Sequence, residues 1–455
     1  MGMTKEESSS VKSVVETMES FFSQKYGLAS ITTFSEWGGV SVSIGGHRYV
    51  LGNEIPMFTT SVKSRISDEN SGAGVSFNQE VSKAKAYGEF IERYCGKCDN
   101  NEFALELLFD SADNLIKKGI NCLDYGDLLP FLDCQYDRPD FPFPKYFTKH
   151  PISWVKGKNL VLNEDVYLPA KKVYLRFPCR DGELSYVYSL STGLACGTGY
   201  SSTALNAICE VIERDSFMLS WQLSLSGELI IPDEFRNDKT EELYAHINKY
   251  LFGEDELFLY DISRTEGVYT ILSFVRNNLP NSFGLIVATA SHPDPEIAVL
   301  KSLEELCQSY NAAHIGLLRD NKERKCYELK PSEVNTLDKH FLYYSSSRNN
   351  RNIDFVAEDN KTVLLSEMTN YSAGTGEADL EYLMDLFKKA ETSIYVADIT
   401  REEIRESGLR VLRAIIPGYV DLEPDHNLRH LKSARLQSFQ EKYGVAITDN
   451  PHPFP

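Results

Sequence analysis

Two segments of the sequence carry paired glutamates at the same spacing. Each reads Glu-x-x-Glu-Arg, at 89–93 and at 210–214, and each follows a glycine-containing stretch, at 71–74 and at 191–199. Corresponding residues are 121 positions apart (210 minus 89). Residues three apart share one face of a helix, so each segment predicts a helix with two carboxylates side by side. Apolar and small neighbours predict that both helices are substantially buried, and buried carboxylates repel each other unless cations accompany them.

A third predicted helix, at about 295–312, places Glu305 and Gln308 three positions apart within an apolar run. Oxygen ligands on three helices, with no matching histidine, suit Mg²⁺ better than zinc or copper. Mg²⁺ held by several carboxylates usually also holds phosphates, to which glycine-rich turns offer backbone N–H groups. The residues alone therefore favour a magnesium–nucleotide site. They predict these metal ligands: Glu89, Glu92, Glu210, Glu213, Glu305 and Gln308.

Two other interpretations of the acidic helices remain open from the residues alone. A di-metal carboxylate oxidase of the ferritin type needs Glu-x-x-His on two helices, and the positions three beyond Glu89, Glu210 and Glu305 hold no histidine. The glutamates also suit purely structural ion pairs with Arg93 and Arg214. The sequence lacks G-x-x-x-x-G-K-S/T, which excludes an ordinary P-loop.

Charge and composition exclude several classes of protein. Lys plus Arg (47) minus Asp plus Glu (66) gives a net charge of −19, which argues against nucleic acid or an anionic membrane as a partner. The longest apolar runs are far shorter than the roughly 18 residues that span a bilayer, and the first residues lack the apolar segment of a signal peptide. Nine cysteines, an odd number without framework spacing, indicate reduced thiols in a cytoplasm.

The remaining pattern predicts an α/β chain, with mixed (α+β) sheets and packed helices. A helix over about 11–22 and a hairpin around Gly45 and Gly46 precede the first glutamate segment, and the second glutamate segment lies in a helix over about 202–224. Alternating or continuous apolar residues predict strands at 257–262, 269–275, 283–288, 393–398 and 409–417. The prolines of 450–455 predict an extended tail, because proline lacks an N–H and fixes its φ.

Together these motifs resemble the YcaO family, whose ATP site is built from acidic helices. The resemblance rests on 71–74 with 84–94, on 191–195 with 204–215, and on 303–309 followed by Arg319 and Asp320. It runs from about residue 60 to the C-terminus, with the motifs in the family's order. The resemblance implies a YcaO-type ATP-binding fold over 60–455, preceded by an N-terminal extension of a helix and a hairpin over 1–59.

The resemblance also implies which residues serve the nucleotide. Besides the six metal ligands, it assigns these residues to ATP binding: Ser71, Gly72, Gly74, Lys85, Arg93, Ser191, Asn206, Arg214 and Arg319. The cationic members would neutralise phosphate charge. Lys85 stands where the family often has serine, and Tyr310 stands where it often has arginine, so two positions depart from the family's pattern.

The proline-rich end at 451–455 resembles the tail of the azoline-forming branch, in which the terminal carboxylate reaches the active site. The carboxylate of Pro455 is therefore predicted to be catalytic, as the base that takes a proton during ring closure. The implied reaction modifies a ribosomally made precursor peptide. A Cys, Ser or Thr side chain adds to a backbone amide, the resulting oxyanion attacks the γ-phosphate of ATP, and phosphate leaves in place of water to give an azoline.

The implied partners are the precursor peptide, a separate E1-like C-type protein and, where azolines are oxidised further, a flavin-dependent azoline dehydrogenase. The C-type protein is expected to be separate, because about 60 residues before the first motif are too few for such a domain. A homodimer is the family habit. Two other functions stay open: thioamide formation with external sulfide, against which the tail argues, and a non-catalytic scaffold that binds the precursor, against which the intact glutamates argue.

Overall fold

The computed structural model of the chain describes residues 5–19, 29–36, 40–44, 47–51, 58–64, 71–98, 107–123, 128–251, 255–278, 283–319 and 329–454. These residues form three main sheets and a separate hairpin, with helices packed between them. The predicted class, mixed sheets with packed helices, is confirmed. None of the helices in the described stretches is long and apolar enough to cross a membrane.

The first part of the chain forms a helix, a small sheet and a hairpin. Their bounds are α1 Lys5–Glu19, β1 Ala29–Glu36, β2 Val40–Ile44, β3 His47–Leu51, β4 Phe58–Ser64 and β5 Ser71–Ser76. Strands β2 and β3 pair as the predicted hairpin, and β1, β4 and β5 form an antiparallel sheet in that order. Because β1 and β4 pair from opposite sides of position 59, residues on both sides of the predicted boundary share one sheet. The division of the chain at that position remains a prediction.

The helix that carries the first glutamate pair, α2 (Gln79–Gly96), begins at a side-chain cap. The Asn78 side-chain oxygen accepts from the backbone N–H groups of Glu80 (2.9 Å) and Val81 (3.2 Å), which satisfies two of the free donors at the helix start. The helix packs directly on β5. A β-carbon at Gly72 would lie only 2.1 Å from the Ala86 carbonyl oxygen, so glycine is required for this close approach.

A second sheet runs through the middle of the molecule. Its strands are β6 Leu108–Ser111, β7 Pro151–Asn159, β8 Glu164–Pro169, β9 Leu194–Gly197, β15 Tyr395–Asp398 and β16 Arg410–Ile415. The order is β6-β7-β15-β16-β9, and β8 pairs with β7 at the side. The strands predicted at 393–398 and 409–417 correspond to β15 and β16. Trp154 of β7 is fully buried in the core between this sheet and α2.

The third sheet contains the strands predicted between 257 and 288. Its members are β10 Glu228–Ile231, β11 Glu256–Asp261, β12 Tyr269–Arg276, β13 Leu285–His292 and β14 Thr362–Leu364. The order is β13-β12-β11-β10-β14, antiparallel except for the parallel pair β10 and β14. Every residue of β13 is buried, as expected for a continuous apolar strand.

The other two acidic helices pack on these sheets. Their bounds, with those of the remaining helices, are α3 Ala112–Lys117, α4 Asp133–Tyr136, α5 Ala170–Val173, α6 Tyr200–Gln222, α7 Asp238–Tyr250, α8 Pro295–Arg319, α9 Leu337–Tyr343, α10 Gly376–Lys389, α11 Glu402–Glu406 and α12 Ala434–Tyr443. Helix α6 contacts β9, β13 and β16, whereas α8 contacts β12 and β13. The second sheet and the third sheet therefore place α6 beside both α2 and α8.

Candidate active site

Helices α2, α6 and α8 border one cavity of about 660 Å³, referred to below as the acidic cavity. All six predicted metal ligands line it: Glu89, Glu92, Glu210, Glu213, Glu305 and Gln308. Glu304 also faces it. Helix α1 and the start of α2 add apolar side chains, among them Val11, Val14 and Met18. The cavity therefore has an acidic wall on three helices and an apolar wall beside it.

The two glutamate segments are alike in three dimensions as well as in sequence. Oε2 of Glu89 accepts from the backbone N–H of Ala73 at 2.7 Å, and Oε1 pairs with Arg93 at 2.6 Å. Oε2 of Glu210 accepts from the backbone N–H of Gly193 at 3.1 Å, and Oε1 lies 3.8 Å from the guanidinium four residues later. In both segments the first glutamate is fixed by the turn or strand before its helix and by the arginine after it.

The position of Gly193 also explains the second glycine-containing stretch. This residue has φ +82°, and a β-carbon there would lie 2.4 Å from the carbonyl oxygen of Ala414. Only glycine adopts this left-handed conformation without strain and also allows the close approach. The turn thus brings a backbone N–H to Glu210 and packs against β16.

The pKa values of the buried glutamates are raised. Burial, followed by the charges of Glu210 and Glu89, raises the pKa of Glu92 well above its ordinary value. Burial, with the charge of Glu213 added and that of Arg214 opposing, raises the pKa of Glu210 to about 7. Burial is the main cause of both shifts, and the charges of neighbouring glutamates add to it. Such a site gains stability when cations enter it.

Several cations surround this acidic wall. Lys85 Nζ lies 2.8 Å from Glu304 Oε2, and Lys301 Nζ donates to Asn206 Oδ1 at 3.0 Å. Arg214 Nη1 lies 3.2 Å from Glu213 Oε1. Lys85, Asn206 and Arg214, all predicted to serve the nucleotide, therefore stand at the acidic cavity.

The other residues predicted to bind ATP occupy different places. Gly72 and Gly74 lie in the contact between β5 and α2 and are not among the residues that line the cavity. Ser191 is exposed on the turn before β9, and Arg93 reaches the cavity through its pair with Glu89. The side chains of Ser71 and Arg319 lie outside the described residues, as does Pro455. The assignment of all these residues to ATP remains a prediction.

Arg413 of β16 is a charged residue near the cavity that the sequence analysis did not single out. Only 4% of it is exposed, and its charge acts on both Glu92 and Glu210. Its Nε and Nη1 atoms have no hydrogen-bond partner in the described part of the chain. The signal that points to it in the sequence is an arginine placed inside an otherwise apolar strand.

The proline-rich tail is buried and ends beside the acidic cavity. Tyr344 donates its hydroxyl hydrogen to the carbonyl oxygen of Pro451 at 2.6 Å, and His340 Nδ1 lies 2.8 Å from the carbonyl oxygen of His452. The ring of Phe454 stacks on the guanidinium of Arg214, with 4.1 Å between the guanidinium carbon and the ring centroid. As its prolines predict, the tail is neither helix nor strand, and its last described residue contacts a residue of the cavity wall.

The donor set fits Mg²⁺ bound together with phosphates. Carboxylate and amide oxygens are hard ligands. No histidine is among the residues that line the cavity, and the softer ligands at its wall are the thiols of Cys196 and Cys209. Burial raises the pKa of Cys209 to about 12, so this thiol stays protonated. Within the described residues, no three His, Cys, Asp or Glu side chains converge closely enough to hold an ion by themselves. The carboxylates surround the cavity instead, as expected where phosphate oxygens complete the coordination.

The class of protein follows from the match of this chain to known families. Residues 72–420 match a family model described as a cyclodehydratase that binds ATP and Mg²⁺. The match covers 349 of the 455 residues (420 minus 72, plus 1), so the chain belongs to the YcaO family. The family and the YcaO-type ATP-binding fold predicted from the motifs are both confirmed.

Solved structures with this fold show how much of the chain it covers. A heterocyclase in complex with substrate and cofactor matches with a TM-score of 0.73 and 18% identity, over 98% of this chain and 57% of that one. YcaO from Methanopyrus kandleri, bound with AMPPCP and Mg²⁺, matches with a TM-score of 0.61 and 19% identity, over 94% of both chains. The Escherichia coli microcin synthetase McbBCD complex with pro-MccB17 bound matches with a TM-score of 0.54 and 16% identity, over 86% of this chain and 91% of that one. At these identities the likeness shows the fold alone, and this chain spans little more than half of the first heterocyclase.

Proposed function

We propose that this protein is an ATP- and Mg²⁺-dependent cyclodehydratase that converts Cys, Ser or Thr residues of a ribosomally made precursor peptide into azolines. The observation that carries the proposal is the position of the tail. Phe454 rests on Arg214, which faces Glu213 across 3.2 Å in the acidic cavity. A buried tail that ends at a site of this charge supports the azoline-forming reaction over the other reactions of the family that the sequence left open.

The acidic cavity offers complementary surfaces to a magnesium nucleotide. Glutamates on α2, α6 and α8 would hold Mg²⁺, which when bound neutralises phosphate charge. Lys85 and Arg214 are placed to balance the remaining negative charge of the phosphates, and Val11, Val14 and Met18 offer apolar contact to a base. The volume of about 660 Å³ is in the range of roughly 300–1,000 Å³ that ligand pockets have.

The chain's own groups then serve the peptide reaction. The thiol or hydroxyl of the substrate adds to the carbonyl carbon of the preceding backbone amide, and the carbonyl oxygen becomes an oxyanion. That oxyanion takes the γ-phosphoryl group from ATP. Phosphate then leaves with this oxygen, and the amide nitrogen loses its proton. The C=N bond of the azoline forms in this step. We propose that the carboxylate of Pro455, carried by the stiff tail, receives a proton in this sequence.

We further propose that the protein works with partners. The first heterocyclase is matched over 57% of its length, and the microcin synthetase is a complex of several proteins with its precursor bound. An E1-like C-type partner would present the precursor peptide to the acidic cavity. A homodimer of this chain and a separate flavin-dependent azoline dehydrogenase complete the assembly that we propose.

The test is mass spectrometry of a precursor peptide from the same gene neighbourhood, incubated with this protein, its partner and Mg²⁺–ATP. We expect a loss of one water per cyclised residue, and no such loss with a variant extended by one residue after Pro455. Replacement of oxygen by sulfur upon addition of sulfide would instead identify thioamide formation. Absence of Mg²⁺-dependent ATP binding would identify a scaffold, and either result would reject the proposal.

A further inference from the structure

A second cavity of about 580 Å³ lies against β16, next to the acidic cavity. Apolar side chains and the backbone of 414–421 form most of its wall, with Leu128, Val211 and Tyr419 among the apolar members. Its polar members are Lys172, Thr192, Arg413, Asp421, His430, Lys432 and Ser433. None of the predicted nucleotide or metal residues lines it. We refer to it as the Arg413 cavity.

The Arg413 cavity differs from an ordinary packing defect because buried hydrogen-bond donors at its wall have no partner in the described part of the chain. Arg413 is 96% buried (100 minus 4), yet its Nε and Nη1 have no hydrogen-bond partner among the described residues. The charge of Asp421 acts on Arg413, but that carboxylate lies 3.1 Å from Lys172 Nζ and gives Nε and Nη1 of Arg413 no hydrogen bond. Nε2 of His430 also lacks a partner in the described part of the chain, and because Nδ1 donates to the carbonyl oxygen of Asp421, Nε2 is a free acceptor rather than a donor. Buried donors left unpaired are costly, so a ligand with acceptor oxygens is expected here.

The Arg413 cavity lies near the glutamates of the acidic cavity. The charge of Arg413 acts on Glu92 and Glu210, which line the acidic cavity. Val211 faces the Arg413 cavity, and its neighbour in sequence, Glu210, faces the acidic one. One guanidinium therefore stands between the two cavities.

The tail connects to the same region. Oε1 of Glu423 accepts from the backbone N–H of His430 at 2.7 Å, and the carbonyl oxygen of Glu423 lies 2.9 Å from Nε2 of His452. The segment that lines the Arg413 cavity thus continues directly into the residues that seat the tail. A group bound in the Arg413 cavity would have the acidic cavity and the tail as neighbours.

The size and lining favour a peptide over an inorganic ion. A volume of about 580 Å³ is in the range of roughly 300–1,000 Å³ that ligand sites have, and a phosphate ion would leave most of it empty. The backbone of 414–421 offers hydrogen-bonding groups, and the apolar side chains offer contact to side chains. We infer that the Arg413 cavity receives the segment of the precursor peptide that is modified, with Arg413 donating hydrogen bonds to the backbone carbonyl oxygen under attack. This inference rests on the proposed function.

Such a contact would strengthen during the reaction. The carbonyl oxygen gains negative charge when the nucleophile adds, and a preorganised buried donor stabilises that charge more than it stabilises the neutral amide. Arg413→Gln should therefore slow azoline formation by about 10²–10³-fold, the range found for removal of one oxyanion donor. Binding of Mg²⁺–ATP should persist, because Arg413 adds positive rather than negative charge near the carboxylates.

The experiment combines two measurements on the full chain with its partner. Azoline formation and Mg²⁺–ATP affinity are compared in the wild-type protein, Arg413→Gln, Arg413→Lys and the control Arg410→Gln. Arg410 lies on the same strand but is not among the residues of either cavity. We expect a large loss of rate in Arg413→Gln, partial recovery in Arg413→Lys and wild-type rates in Arg410→Gln, with similar nucleotide affinity throughout.

The second measurement does not depend on any variant folding. Hydrogen exchange of the wild-type protein is followed with the precursor peptide, with Mg²⁺–ATP and with inorganic phosphate, each added alone. If the peptide protects 414–421 and neither Mg²⁺–ATP nor phosphate does, the inference is supported. This holds even if no azoline forms and the proposed function fails. Azoline formation with no protection of 414–421 and a wild-type rate in Arg413→Gln would overturn it while the proposed function stands. Protection by phosphate alone, with none from the peptide, would also overturn it.

Discussion

Replacing Glu210 with glutamine should stabilise the nucleotide-free protein and weaken its binding of Mg²⁺–ATP. Folding raises the pKa of Glu210 from 4.5 to about 7, mainly through burial, so the folded state binds the proton more tightly than the unfolded state does. Stability is therefore lost as the pH rises from 4.5 to 7, by about 3 kcal/mol for this group. Glutamine keeps an oxygen for the N–H of Gly193 but carries no charge. The pKa of about 7 already includes the attraction of Arg214, at 3.8 Å, so the expected gain at pH 8 is about 3 kcal/mol.

Urea unfolding of both proteins at pH 5 and pH 8, without nucleotide, measures this gain. At pH 5 Glu210 is already protonated in the folded state, so the two proteins should differ little. Glu80→Gln is the control, because Glu80 lies on α2 away from the cavity and pairs only with Lys83 at 3.1 Å among its described contacts with cations. Saturating Mg²⁺–ATP, at about 100 times its Kd, should stabilise the wild-type protein by about 2.7 kcal/mol and the variant much less. A variant that is less stable at pH 8 and still fully stabilised by Mg²⁺–ATP would refute the reasoning.

Three further predictions concern the glutamates and the tail. Glu92→Gln and Glu213→Gln should each leave the fold intact and weaken Mg²⁺–ATP binding at least tenfold in calorimetry, and wild-type affinity in both would contradict the assignment. Phe454→Ala should retain nucleotide binding but lower the rate of azoline formation by roughly tenfold, because a desolvated cation–π contact is worth up to about 2 kcal/mol; an unchanged rate would show that seating of the tail is irrelevant. Burial lowers the pKa of His340 from 6.5 to about 4, so the stability that its buried neutral ring gives to the seated tail should fall as the pH drops from 6.5 to 4. Hydrogen exchange of 449–454 at pH 5 and pH 7.5 measures that loss, and equal protection at both values would exclude it.

Local periodicity was sufficient to predict the elements that carry the site. The apolar runs around Glu210 and Glu305 predicted the helices α6 and α8, and alternation or continuous apolar runs predicted β11, β12 and β13. Arg93 and Arg214 each offer one cation to two glutamates, so each pair needs further positive charge, which a shared metal site would supply. The convergence of the glutamates on one cavity was therefore predictable from residue types and spacing.

Features that depend on distant parts of the chain were not predictable. Arg413 becomes buried because β16 pairs with β9 and β15, which are about 220 residues and 15 residues away in sequence. Gly72 was assigned to the nucleotide from its motif, whereas the structure shows that its packing against Ala86 already requires a glycine. A glycine-rich motif next to a helix serves phosphate binding and close packing equally well, and only the tertiary contact separates the two roles.

The physical cost of seating the tail supports a functional role for it. His452 is 1% exposed, and its burial lowers its pKa well below the ordinary value, because a buried imidazole without an anionic partner disfavours the charged form. Chain ends are usually left in solvent, because ordering them costs conformational entropy and burying polar groups costs hydration. Here Phe454 packs on the guanidinium of Arg214 rather than only on apolar side chains, which ties the tail to the carboxylates that would hold the nucleotide. The contact places the last described residue of the tail at the wall of the acidic cavity, which is where a tail that delivers Pro455 to the reacting peptide would end.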